Sequence, residues 1–134
     1  MDYQNINQKI VIKPYPLHRM GETIQQLEGF QYATPLDPNM GYYNIDLLTE
    51  SGNLTTIVTG FWKFRYNRFP RGLYASGEIF QSKVDELLGD IKGVKTYIND
   101  IILLGKGSST QHIYHLRVIF DRLFASVIRV NNTK

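Results

Sequence analysis

Hydrophobic and polar positions change period several times along the chain, and each change marks an element. Two apolar, β-branched runs, Val94–Ile98 and Ile101–Leu104, meet at the polar pair Asn99-Asp100. Short polar residues tolerate the positive φ of tight turns, so the pattern predicts a β-hairpin with Asp100 at its tip. Upstream, Ile79, Phe80, Val84, Leu87, Leu88 and Ile91 follow the helical period, with Ser76 expected as N-cap and Glu78 in the first turn. Downstream, Thr110 is expected to cap a final helix that turns Ile113, Leu116, Phe120 and Leu123 inward, and Ser126–Val130 reads as a last strand.

Earlier in the chain, Pro14 and Pro16 predict an extended opening segment, because each proline biases its predecessor away from helix. Leu17, Met20, Ile24 and Leu27 then share one face of a short helix closed by Gly29. Phe30–Leu36 leads into Asp37, and Tyr42–Leu48 alternates as a strand. Glu50–Asn53 reads as a turn, and Leu54–Thr59 with Phe61–Arg68 reads as a hairpin joined through Gly60. Pro35 and Pro38 bracket Asp37. Proline donates no ladder hydrogen bond, so in a sheet interior the pair is expected to disturb that aspartate. The order shows no βαβ alternation and predicts an α+β fold, an antiparallel sheet backed by helices.

Composition narrows the function classes. At 134 residues one domain is expected, and 43% hydrophobic against 20% charged residues supports a packed core rather than disorder. The absence of cysteine excludes disulfides and thiolate metal sites. No apolar run approaches the roughly 18 residues of a membrane span, and the opening residues lack a signal-peptide core, so an intracellular, non-secreted protein is expected. A net charge of +3 permits nucleic-acid binding without demanding it.

Candidate chemistry centres on carboxylates. Asp37, at the end of the first strand, and Asp100, at the hairpin tip, would suit magnesium if they meet, because that ion prefers oxygen ligands and assists phosphoryl displacement. His112 and His115 lie three apart on a helix without a third ligand nearby, so a solvated or capping role is expected. Lys106-Gly107-Ser108 lacks the glycine spacing of a phosphate loop. Lys63, Arg65, Arg68 and Arg71 alternate with Trp62, Phe64, Tyr66 and Phe69. That alternation fits a nucleic-acid track, and equally a strand with one solvated and one buried face.

Three segments in order, Leu36–Ile45, Pro70–Gln81 and Tyr97–Asp100, resemble the palm motifs of reverse transcriptases, most closely those of gypsy-type LTR retrotransposons. The resemblance implies a polymerase palm-like antiparallel sheet backed by helices. Residues 1–30 would form a remnant of the fingers with the first helix, and residues 31–134 the palm motifs. It further implies a two-magnesium site on Asp37, Asn99 and Asp100, with Asp37 and Asp100 as catalytic carboxylates. Tyr42 would stack under the incoming sugar and exclude a 2′-hydroxyl. Arg71 and Gly72 would lie near the incoming nucleotide, and Lys134 near a lysine that protonates pyrophosphate. Implied partners are an RNA/DNA primer-template and dNTP.

The departures from that pattern carry equal weight. Asn99 stands where the family has a second aspartate. Loss of one well-placed electrostatic group typically costs about 3 kcal/mol, on the order of a hundredfold in rate. Ala75 and Gly77 replace the usual Asn and Pro, and Gln4 a common arginine. The expectation is an RNA-directed DNA polymerase by descent, truncated and catalytically degenerate, with residual nucleic-acid or magnesium binding. Two alternatives stand beside it: a fragment of an active two-metal polymerase that needs its fingers and thumb, and a host-adopted protein-interaction module.

Overall fold

A computed structural model describes residues 3–11, 14–16, 29–39, 41–126 and 128–131. In chain order the elements are α1 (Gln4–Asn7), β1 (Tyr32–Leu36), β2 (Pro38–Asn39), a 3-10 turn (Gly41–Asn44), α2 (Thr49–Leu54), β3 (Ile57–Val58), β4 (Lys63–Phe64), α3 (Ser76–Leu88), β5 (Val94–Tyr97), β6 (Asp100–Gly105), α4 (Ser109–Ala125) and β7 (Arg129–Val130). The helix expected through Leu17, Met20, Ile24 and Leu27 lies outside the described residues, as does Lys134.

Strand β6 is the centre of a three-stranded antiparallel sheet, flanked by β1 and β5. Its alternate residues Ile101 and Leu103 are buried and join Phe80, Val84 and Leu88 of α3 and Ile119 and Leu123 of α4 in the main core. Burying a side chain of this kind contributes about 1.5–3 kcal/mol relative to exposure. The core thus fixes both helices against the sheet, the α+β arrangement expected from the element order. Two smaller antiparallel pairs, β2 with β7 and β3 with β4, complete the topology.

Helix α3 follows its sequence pattern: Phe80, Val84 and Leu88 recur every fourth position on one buried stripe. Ser76 is not its cap. It is the first residue of the helix, buried, and its hydroxyl donates to the Pro70 carbonyl at 3.1 Å. In α4 the cap is Ser108 rather than Thr110, its Oγ accepting from the Gln111 amide. Leu116 and Leu123 pack inward as expected, but the other two positions do not. Ile113 and Phe120 are exposed, while His112, Ile119 and Leu123 are buried.

Other expectations fail for local reasons. The opening segment forms a helical turn, with the Ile6 and Asn7 amides donating to the Tyr3 carbonyl, because the prolines at 14 and 16 constrain nothing that far upstream. Tyr42–Leu48 is not a strand. Tyr42 and Ile45 both pack on the core, and a three-residue spacing suits the 3-10 turn that carries Tyr42. Residues 50–53 belong to α2 rather than to a turn, and the hairpin that follows is ordered as strand only over Ile57–Val58 and Lys63–Phe64. The last strand shrinks to Arg129–Val130.

Candidate functional site

The register of β1 on β6 decides where the two aspartates go. The last paired residues are Leu36 and Ile101, so Asp37 and Asp100 occupy the next position on each strand, on facing ends of an antiparallel pair. A residue 94 positions away in sequence closes this end. The backbone N–H of Asn131 donates to the Asp37 carbonyl at 2.9 Å, and its side-chain amide donates to the Asp37 carboxylate at 3.3 Å. Pro35 and Pro38 do not prevent the arrangement. Strand β1 is an edge strand of its sheet, where a missing N–H is tolerated, and Pro38 begins the separate pairing of β2 with β7.

The hairpin that presents Asp100 differs in detail from its expected form. Tyr97 pairs with Asp100, leaving Ile98 and Asn99 as the two turn residues. Positive φ falls on Ile98, at 52°, and not on the polar pair. Asp100 is exposed at the start of β6. The amide oxygen of Asn99 is buried without a hydrogen-bond partner. Two aspartates at facing strand ends, with Asn99 next in sequence to one of them, carry oxygen donors of the type magnesium prefers. Among the described residues no three histidines, cysteines, aspartates or glutamates gather into a metal-holding cluster.

Tyr42 and the Arg71-Gly72 pair are held by different supports. The Tyr42 ring meets Phe80 edge-on at 5.7 Å between centroids, so α3 fixes its position. Gly72 adopts a φ of 97°, and α1 grips its loop. The Asn7 amide donates to the Gly72 carbonyl at 2.9 Å, while its oxygen accepts from the Tyr74 N–H at 2.9 Å. Arg71 is exposed on this loop.

Sequence reasoning missed a polar network behind the hairpin. Gln81 is 2% exposed, and its amide nitrogen donates to Asp85 Oδ1 at 2.9 Å and to Thr96 Oγ1 at 2.7 Å. The readable signal was Gln81 and Asp85 at a spacing of four inside an otherwise apolar helix. His112 has neither the solvated nor the capping role expected of it. It is buried against β1, its Nε2 2.8 Å from Thr34 Oγ1 and its ring 5.5 Å from that of Tyr32.

The cationic and aromatic run divides. Arg68 pairs with Asp46 at 3.4 Å and donates to the Tyr43 carbonyl, and Arg65 donates to Asn53. Phe61, Trp62 and Phe64 are 92%, 71% and 55% exposed, and Lys63 is exposed beside them. Strand β4 therefore has no buried face, and the reading as a half-buried strand fails there.

A family model described as reverse transcriptase (RNA-dependent DNA polymerase) matches residues 1–134. The chain is 29% identical over 125 residues to the retrovirus-related Pol polyprotein from transposon 297 of Drosophila melanogaster, covering 92% of this chain and 12% of that polyprotein. To the Pol polyprotein from transposon gypsy of the same fly it is 26% identical over 136 residues, covering 100% of this chain and 13% of the relative. The chain thus spans about an eighth of these relatives. The fold matches a foamy viral protease-reverse transcriptase solved with an RNA/DNA hybrid, with a TM-score of 0.88 at 23% identity over 97% of this chain and 18% of that one. With the motifs in order, the antiparallel sheet beneath two helices and a family match over its whole length, the chain belongs to the reverse transcriptases, among relatives that are retrotransposon Pol polyproteins.

Proposed function

We propose that this domain is a palm core that still engages nucleic acid but has lost catalytic competence at its metal-holding end. One observation carries the reading: Asp100 faces Asp37 across β1 and β6, while the neighbouring turn position is the neutral Asn99. Divalent metal bound there would neutralise charge on phosphates during displacement. Asp37 and Asp100 would supply carboxylate oxygens to it, and Asn99 an amide oxygen of weaker field. Tyr42 would lie under a nucleotide sugar, and Arg71, with Gly72 allowing close backbone approach, would meet the triphosphate.

Nucleic acid is the partner we infer, an RNA/DNA primer-template in particular. Family membership supports it, and so does the exposed aromatic and cationic tip Phe61–Phe64, since arginine or lysine serves phosphates and aromatic faces stack on bases. The foamy viral relatives are described in complex with an RNA/DNA hybrid and with double-stranded DNA.

A manganese titration followed by water-proton relaxation tests the metal end. Asn99→Asp is expected to tighten binding at least about tenfold, the scale of one restored charged ligand, and Asp37→Asn to abolish the gain. Primer extension by the unaltered chain, lost in Asp37→Asn, would show that catalysis survives and overturn the degenerate reading.

A further inference from the structure

Ile98 is the non-glycine residue with positive φ among those described. A β-branched side chain in that region costs roughly 1–2 kcal/mol, so the surrounding structure must impose the conformation. The polar network behind the hairpin does so. The Ile98 N–H donates to Gln81 Oε1. The Gln81 amide nitrogen is committed to Asp85 and Thr96, which fixes the flip of the amide and aims its oxygen at the turn. The Thr96 hydroxyl donates in turn to Asp85 Oδ1. The other carboxylate oxygen, Oδ2, accepts from the Tyr15 hydroxyl at 2.9 Å, across 70 residues of sequence. The hydrogen bond to Asp85, then burial, hold the Tyr15 phenol above its ordinary value of 10.0.

We propose that Asp85 is a positioning residue: through Gln81 it holds the Ile98-Asn99 turn, from which Asp100 enters β6, in its left-handed form, with the Tyr15 hydroxyl fixing the same carboxylate. Each group in the chain of contacts has its donors and acceptors matched, and buried networks that are fully satisfied specify one geometry. The significance of Asp100 rests on the functional reading above; the control of the turn does not.

Amide hydrogen exchange, resolved by NMR on the full chain, tests the relay. In Asp85→Asn the new amide presents donors where the carboxylate only accepted, and exchange at Ile98 N–H is expected to rise about tenfold, the factor for loss of one hydrogen bond to a charged group. The Ile119 and Leu123 amides of α4 are expected to keep their protection. Tyr15→Phe, which keeps the ring and removes only the hydroxyl, is expected to shift Ile98 in the same direction by about threefold; it decides the matter should Asp85→Asn not fold. Unchanged exchange at Ile98, or an equal rise at Ile98, Ile119 and Leu123, would overturn the proposal. A parallel manganese titration separates the two ideas. If the unaltered chain and Asn99→Asp both bind no metal, the functional reading fails while the exchange result still judges the relay.

Discussion

Gly41 shows how closely this chain fits itself at the level of single residues. A Cβ at that position would lie 2.6 Å from Cζ of Phe80, inside any real contact. The ring of Phe80 is fully buried and also supports Tyr42, so it has nowhere to retreat. Gly41→Ala is expected to lower stability by about 1–3 kcal/mol, the usual range for overpacking, in a urea denaturation of the purified chain. His112 presents a second tight fit. Its Nε2 has one partner, Thr34, while its Nδ1 is buried with none. Thr34→Val would leave both ring nitrogens unsatisfied, and a loss of about 1–3 kcal/mol is expected in the same assay. The sequence pattern could not reveal this histidine's place. Of the four positions expected inward on α4, Leu116 and Leu123 do pack on the core, while Ile113 and Phe120 are exposed and the buried stripe runs instead through His112 and Ile119. Apolar residues on the outer face mislead because a protein surface carries much apolar area anyway. Asp37, Asp100 and Asn99 were legible as candidates, because their neighbours carry motif order. Of the polar network only the Gln81–Asp85 pair left a local trace, at a spacing of four; the bonds to Thr96, Ile98 and Tyr15, at separations of 11 to 70 residues, left none.

Elements with a long, regular period were legible and short ones were not. Helix α3 and the hairpin of β5 and β6 follow sustained patterns, and both were anticipated closely. Strands β2, β3, β4 and β7 have two residues each, too few to display any period. The pairing of β2 with β7, which brings Asn131 to Asp37, is a tertiary outcome that no window of sequence contains. Between α3 and α4, the Arg122 guanidinium donates to both carboxylate oxygens of Asp90 and to the Leu87 carbonyl. That hydrogen bonding holds the Asp90 carboxyl below its ordinary value of 3.8. A depressed folded-state pKa gives a contribution that is complete above 3.8 and disappears as pH falls through the lowered value. The pair is exposed, so the effect is small and screened by salt. In an acid titration monitored by NMR, the α3–α4 junction is expected to loosen below that pH in the unaltered chain, and Arg122→Met is expected to show no such step.

At the scale of the whole molecule, the sheet and helices place the facing aspartates at one end of β1 and β6, while β3 and β4 carry an aromatic tip into solvent. Among the described residues no helix is long and apolar enough to cross a membrane. The net charge of +3 adds a modest general attraction for phosphates. Stacking of a base on an aromatic side chain is worth about 1–3 kcal/mol, so Trp62→Ala is expected to weaken single-strand binding by roughly five- to a hundredfold in an anisotropy titration. The family and the fold were legible because three motifs recur in order across the chain. The proposed loss of catalysis rests on one residue, Asn99, whose effect depends on what faces it. The most direct test is therefore a fluorescence-anisotropy titration of a labelled RNA/DNA primer-template with the full chain and with Asn99→Asp, with and without magnesium, at two salt concentrations. The expected result is saturable binding that weakens with salt in both, with magnesium strengthening it at roughly tenfold lower concentration in Asn99→Asp than in the unaltered chain. A cooperatively folded chain that does not bind, or one that responds to magnesium equally well with Asn99 and with aspartate at that position, would contradict the account.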